Sequence, residues 1–506
     1  MAANRNGKKL ATQQSVDSAI WSICDIMRRS NCAGAMQYVP ELTWILFLRI
    51  LDERETREAE EAAAVKAAFL PSLDAPYRWQ DWAAPNGTKR KALQDGALGA
   101  FKAFVNDDLM PHLRELRDKP NASPRQKVIG EIMATVERVH IDTERNLLDV
   151  LDKVNEISNE NVDPTHVFTL SQVYEGLLLK MGEKGNDGGQ FFTPRQIIKA
   201  IVQTVAPKLG ETVYDPCCGT GGFLAQGYEF MREQAGEKIT GDKIDILKHQ
   251  TFFGREKENL IFPIALANLI LHGIDDPHLW HGNTLTGGET YGGLFRNAPS
   301  LYDVIMTNPP FGGKEGKEAQ TTFAYKTSAT QVLFLQHIIA TLKTGGRCGM
   351  VIDEGVLFRT NETAFVQTKR KLLDDCELWC IVSLPAGVFG AAGAGVKTNL
   401  LFFTKGAPTE KIWYYDLSDI KVGKKKPFTL DRFEDFFKLL PSRADSPRSW
   451  TVTRKQIDEK NYDLKAVNPN AKNDEDKRTP AELLDLIEAK GREVTDALAA
   501  LRQSIR

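Results

Sequence analysis

Long hydrophobic runs are missing from this sequence of 506 residues. Its strongest apolar stretch, "LTWILFLRILDERE", is broken by Arg49 well short of the ~20 residues that a helix needs to span a bilayer. The amino terminus, "MAANRNGKKLATQQ", has no apolar core of a secretory signal, so no membrane segment is expected. Cysteine is scarce as well. Cys24, Cys32, Cys217, Cys218, Cys348, Cys376 and Cys380 form neither a C-x-x-C pattern nor a paired framework. That excludes a disulfide scaffold and a cysteine-rich zinc module, and it suits a reducing cytoplasm. A bias of charge is absent too: 65 Lys and Arg stand against 67 Asp and Glu. Any binding to nucleic acid must then come from a local basic surface or from a partner.

What is present falls into three parts. From Ser15 to about residue 161 the apolar residues recur at helical spacing, as Ile20, Ile23, Cys24 and Met27 do, and "REAEEAAAVKAAF" is a run of strong helix formers. Residues 1–162 are therefore expected to be an all-helical domain, with loops at "DAPYRWQDWAAPNGTKRK" and "DKPNASPRQK" whose basic residues face either solvent or phosphates. After Asp163-Pro164 the period changes. The runs "ETVYD", "TFFGRE", "HLWHGNTL", "YDVIMTN", "RCGMVID", "LWCIVSL" and "TNLLFFTK" alternate with helical segments, which predicts an α/β domain over 163–425 with a mostly parallel sheet and helices on both faces. Residues 426–506 hold a polar linker and a last helix opened by Thr479-Pro480-Ala481-Glu482, an N-cap, a proline at the first helical position and a capping-box acid. Leu484, Ile487, Val494, Leu498, Leu501 and Ile505 follow at heptad spacing, interrupted by Gly491, as a seam for the chain's own core or for another subunit.

The first chemical signal is "TVYDPCCGTGGF". A strand runs into Asp215, then a loop with Gly219, Gly221 and Gly222, then a helix whose amino terminus favours an anionic ligand group. No lysine follows the glycines, and "GAAGAGVKT" misses the phosphate-loop pattern at Val396, so ATP hydrolysis is not supported. Glu256 stands at the tip of the next strand, where its carboxylate can accept from ribose hydroxyls. It lies further from the glycines than in dinucleotide folds, which makes NAD the lesser candidate. His272 and His281 have no second ligand at metal spacing, so no metal is expected, and Cys217 and Cys218 are read as packing residues.

The second signal is Asn308-Pro309-Pro310-Phe311, where "LYDVIMTNPPFGGKEG" stops a strand at an amide, two prolines and an aromatic ring. Prolines cannot donate to a sheet ladder, so the turn stands clear of the sheet. The sheet reading puts Asn308 at the tip of the fourth strand, beside the first, so that turn and glycine loop flank one crevice. An exocyclic amino group has its lone pair delocalised into the ring, and acceptors must draw on its hydrogens before the nitrogen attacks an electrophile. The Asn308 side-chain oxygen and the Pro309 carbonyl are such acceptors, and Phe311 is a surface on which an extruded base stacks. The glycine-rich "FGGKEGKEAQ" that follows reads as a mobile loop or an ordinary surface loop.

"DPCCGTGGF" and "NPPF", with "GGQFFTPRQI" upstream of both, resemble the S-adenosylmethionine and catalytic motifs of adenine-specific DNA methyltransferases. The long helical region makes the best resemblance the modification subunit of type I restriction-modification systems. That resemblance implies a class I methyltransferase sheet and methyl transfer to the N6 amino group of adenine. It implies further that a separate specificity subunit reads double-stranded DNA, that two modification subunits clasp one specificity subunit, and that restriction subunits complete the nuclease. It assigns Gln190, Phe191, Phe192, Thr193, Pro194 and Arg195 to a cofactor-binding segment. Thr220, Gly221 and Gly222 line the methionine end, with Gly219 in the same cofactor-binding loop, Asp215 the charged groups and Glu256 the ribose, while Asn308 to Phe311 are catalytic. Asn283 stands where many members have an aspartate near the cofactor adenine. A protein methyltransferase acting on glutamine, a stand-alone phage-defence methyltransferase and a non-catalytic cofactor scaffold remain as alternatives.

Overall fold

The computed structural model describes residues 13–30, 32, 35–156, 193–236, 239–389, 397–423, 426–465, 467–470 and 479–504. Gln190, Phe191 and Phe192 lie outside the described residues, as does the lysine run at 424–425. Two compact units are present, Met1–Val467 and Asn468–Arg506.

Every described element before residue 157 is helical. The helix Ala35–Ala64 buries Leu42, Trp44, Ile45, Phe47, Leu48 and Leu51, and Pro40 sits in its early turns. The first expected loop is partly helix, with Trp79–Trp82 inside it and Thr88–Gln94 beginning at its end. Trp79 and Trp82 are buried, and Trp82 stacks on Trp44 with centroids 6.5 Å apart. The arginines of both loops meet protein groups, while Lys91 and Lys119 are exposed. Arg90 pairs with Asp152 at 2.6 Å, and Arg125 with Glu58 at 2.8 Å. Burial of large apolar side chains here outweighed the local turn signals of proline and glycine.

The α/β part carries β1 (Val213–Asp215), β2 (Phe252–Glu256), β3 (His278–Asn283), β4 (Gly288–Tyr291) and β5 (Tyr302–Thr307). It continues with β6 (Leu342–Asp353), β7 (Cys376–Ser383), β8 (Thr398–Lys405), β9 (Lys411–Asp416) and β10 (Ser449–Thr453). These form one sheet in the order β10-β9-β7-β8-β6-β5-β1-β2-β3-β4. β1, β2, β3, β5 and β6 are mutually parallel, while β8 is inserted antiparallel between β6 and β7. All seven runs expected from sequence are strands. β4, β9 and β10 were not anticipated; β4 makes the asparagine strand the fifth rather than the fourth, and the sheet runs past residue 425 to Thr453. The expected neighbour relation holds, since β5 pairs with β1 through Val213 and Val304.

Chain order reverses at β1, with β2 on one side and β5 on the other, so a crevice opens at the carboxyl ends of those strands. The helix Phe262–His272 packs beside this point and links it to the helical region. Helices Ala35–Ala64 and Pro124–Met133 both lie against it, and an ion network fastens them: Arg54 pairs with Asp275, Arg125 reaches Asp275 at 3.2 Å, and Lys248 reaches it at 3.2 Å. Burial, which alone would raise the Asp275 carboxyl, is outweighed by Arg54, Lys248 and Arg125, and the group is held below its usual range.

In the second unit, helix Pro480–Ser504 begins at the expected capping box. The Thr479 amide donates to Glu482 at 2.6 Å, and the Glu482 amide donates to the Thr479 hydroxyl at 3.3 Å. Leu484, Ile487, Val494, Leu498 and Leu501 of the seam are exposed.

Candidate active site

β1 ends at Asp215, and the chain turns through residues 216–221 into helix Gly222–Ala235. Gly219 and Gly221 have φ of 54° and 78°, the left-handed region that L side chains rarely adopt. At Gly221 a Cβ would also lie 3.2 Å from Leu269 of the Phe262–His272 helix. Asn268 of that helix donates from Nδ2 to the Thr220 carbonyl at 2.8 Å, so the loop is tied from behind to the element on which the helical region rests.

Two acids accept from amides of this loop. Asp215, 1% exposed, accepts from the Thr307 hydroxyl at 2.6 Å and from the Cys217 amide at 3.1 Å. Glu256 accepts from the amides of Gly219, Lys257 and Glu258, each at 2.9 Å. A carboxylate offers about four acceptor positions, so Glu256 keeps roughly one for a ligand hydroxyl rather than two. Burial pushes both carboxyls up to about 7, against the bonds that favour ionisation, and in Asp215 the Glu256 charge adds to the rise.

Opposite the glycines, β5 delivers Asn308. Its Nδ2 donates to the Thr193 hydroxyl at 3.0 Å, while its Oδ1 is buried and meets no donor among the described residues. A buried acceptor without a protein donor is costly, and on the wall of a cavity its bonding is open to a ligand or to water. Pro309 is buried, and its carbonyl accepts from Gln331 Nε2 at 3.0 Å. Phe311 packs edge-on against Phe389 with centroids 5.3 Å apart. The glycine-rich segment beyond it contains helix Lys317–Thr322, anchored by buried Ala319.

A cavity of about 360 Å³ joins these parts. Thr193, Arg195, Asp215, Gly219, Thr220, Gly222, Glu256, Asn283, Asn308, Pro310 and Phe311 line it. Pro194, Gly221 and Pro309 adjoin these residues in the chain, Pro194 as the residue before helix Arg195–Val205. The Asn283 side-chain oxygen is taken by the Leu285 amide at 2.9 Å, which leaves its amide nitrogen for a ligand. Sequence reasoning missed Thr307 and Gln331. Thr307 is fully buried beside the motif it precedes, and Gln331 is a polar residue within the apolar stretch "TQVLFLQHII", which is the signal that would have found it.

The strand order, with β8 antiparallel in an otherwise parallel core, and a crevice shared by a glycine loop after β1 and an acid after β2 define a class I methyltransferase fold. The chain belongs to the N-6 DNA methylase family, whose model matches residues 166–478, and the HsdM N-terminal domain matches residues 16–154. It is 34% identical over 475 residues to the type I restriction enzyme EcoEI methylase subunit of Escherichia coli, covering 90% of each chain. To the EcoKI methylase subunit of Escherichia coli (strain K12) it is 33% identical, covering 82% of this chain and 74% of that one. A chain solved in work on assembly and conformational transition of the type I R-M system superposes with a TM-score of 0.73 at 37% identity, covering 98% of this chain and 99% of that one. No helix among the described residues is long and apolar enough to cross a membrane.

Proposed function

We propose that this chain transfers a methyl group from S-adenosylmethionine to the exocyclic N6 amino group of adenine in double-stranded DNA, as the modification subunit of a type I restriction-modification complex in the cytoplasm. A specificity subunit reads the target in this complex, two modification subunits flank it, and restriction subunits add the nuclease. The observation that carries this reading is the buried Asn308 oxygen without a donor, on the same cavity as the glycine loop.

S-adenosylmethionine, when bound, supplies a methyl group on a positively charged sulfur. The residues present fit it: two buried acids at strand tips favour a cation, and the glycines let a ligand approach the backbone. Asp215 faces the charged end, Glu256 accepts from one ribose hydroxyl, and the Asn283 amide nitrogen serves the cofactor adenine. Gln190, Phe191 and Phe192 belong to the same binding segment as Thr193. Thr193 has a second task. By accepting from Nδ2 it fixes which end of the Asn308 amide meets the target. Asn308 Oδ1 and the Pro309 carbonyl would accept the two amino hydrogens of an extruded adenine stacked on Phe311, freeing the nitrogen lone pair for the methyl; the methyl–sulfur bond pair would stay on sulfur and one amino hydrogen would leave as a proton to solvent.

Thr193→Val removes the acceptor for Nδ2 and lets the amide rotate. A single-turnover rate about tenfold below wild type is expected, from lost orientation alone. In the second unit, the exposed heptad face supports docking onto another subunit. Truncation after Arg478 is expected to abolish co-purification with the specificity subunit; retention would assign the seam to this chain's own packing. The reading as a whole is tested by supplying methyl-labelled cofactor with DNA and with proteins, in the presence of the specificity subunit. Label in DNA supports it, whereas label in protein alone would make the chain a protein methyltransferase.

A further inference from the structure

We infer that Gln331 is a positioning residue for methyl transfer, holding the Pro309 carbonyl in the orientation from which it accepts a hydrogen of the target amino group. This rests on the adenine reading above and adds to it a residue outside the catalytic turn.

The turn has a mechanical problem of its own. Pro309 and Pro310 carry no N–H, so the segment that must present a carbonyl accurately cannot be tied down by its own donors. Gln331, in the first turn of helix Thr330–Thr341, supplies the tie from outside. Its Nε2 donates to the Pro309 carbonyl at 3.0 Å, and its Oε1 accepts from the Asp353 amide at 2.9 Å. Asp353 ends β6, the strand that pairs with β5. The side chain thus bridges the tip of one strand to the turn that leaves its neighbour. Gln331 is 2% exposed and is followed by buried Val332, Leu333, Phe334 and Leu335. Both ends of its amide are engaged, so rotating the group by half a turn would set donor against donor at Asp353 and acceptor against acceptor at Pro309. A carbonyl oxygen has two lone pairs; Gln331 takes one in a fixed direction and leaves the other for the amino hydrogen. A displacement of about 1 Å at such a group can cost on the order of a hundredfold in rate.

Gln331→Glu in the full chain, assembled with the specificity subunit, separates positioning from packing. The new carboxylate has nearly the same shape but presents an acceptor to the Pro309 carbonyl, unless it is protonated and donates again. A second cavity, which shares Lys314 and Thr330 with the first, is lined by Gln331 and by the charged Lys314, Asp353, Arg359 and Glu362, and Glu315 bonds the neighbouring Thr330. They are present in wild type too, so the ratio of variant to wild type at each pH removes their titration. At saturating S-adenosylmethionine and target DNA, the single-turnover rate at pH 8 should fall about tenfold or more below wild type, with cofactor Kd within about twofold. At pH 6 the gap should close to within about threefold, because burial raises the carboxyl and restores the donor. Gln331→Met, which keeps the length but never donates, should stay slow at both pH values. An equal deficit for Gln331→Glu at both pH values, a loss explained by weaker cofactor binding, or a wild-type rate in Gln331→Met would each overturn the assignment. If Gln331→Glu fails to fold, Gln331→Met alone decides. Failure of the parent reading shows separately, as wild type that forms no N6-methyladenine.

Discussion

Replacing Asn308 with alanine is expected to cut methyl transfer by roughly a hundred- to a thousandfold, the cost of losing one preorganised polar contact at a reacting centre. Cofactor Kd should move by less than about tenfold, or 1.4 kcal/mol, because the cofactor contacts assigned above come from other residues. A third readout distinguishes this from damage. Asn308 Oδ1 meets no protein donor among the described residues, so alanine removes a single protein hydrogen bond, the one from Nδ2 to Thr193. Loss of that one bond should leave the Tm nearly unchanged. An inactive variant of undiminished stability is what a site that sacrifices stability for chemistry should give. Activity within a few fold of wild type would remove Asn308 from the mechanism.

Acid should weaken cofactor binding by tenfold to a hundredfold between pH 8 and pH 6. Asp215 and Glu256 titrate at about 7 in the folded chain without ligand, because burial disfavours their ionised forms. In the unfolded chain both lie near 4. The folded state therefore binds more protons between about pH 4 and 7. Their contribution to stability is fully present below about 4 and is lost as pH rises through 7, so the ligand-free chain should become less stable towards pH 8. A cation in the crevice reverses the preference. Binding favours the ionised acids, releases protons near pH 6 to 7 and strengthens as pH rises. Each group that must ionise adds a factor of about ten per pH unit below its pKa. Titration calorimetry at pH 6, 7 and 8, in buffers of different ionisation enthalpy, measures both affinity and protons released. Glu256→Gln should remove about half of the slope, and a Kd independent of pH would contradict the electrostatic role of the pair.

The site was legible where chemistry is local in the chain. "DPCCGTGGF" and "NPPF" each announce a strand end, and six of the seven strand runs form the parallel core that sets them side by side, the seventh, β8, lying antiparallel. Long-range partnerships were not legible. Thr307 bonding Asp215 spans 92 positions, and Thr193 meeting Asn308 spans 115. No local pattern records such pairs, because they depend on strand register and helix placement. β4 was missed because "GETY" is a short, largely exposed edge strand, and β10 because five residues of "SWTVT" at the other edge carry little burial pattern. The basic residues in the helical region read as solvent- or phosphate-facing, yet Arg90 and Arg125 bind acids of the protein. Proline and glycine marked where the chain turns there, but not what the turns pack against.

Methylation of the N6 amino group of adenine through Asn308 is open to direct test. Its most direct measurement incubates the assembled modification and specificity subunits with methyl-labelled S-adenosylmethionine and target DNA, digests the DNA to nucleosides and identifies the labelled one. Wild type should give N6-methyladenine alone, and Asn308→Ala should give almost none. Label in any other nucleoside, or undiminished N6-methyladenine from Asn308→Ala, would contradict the account.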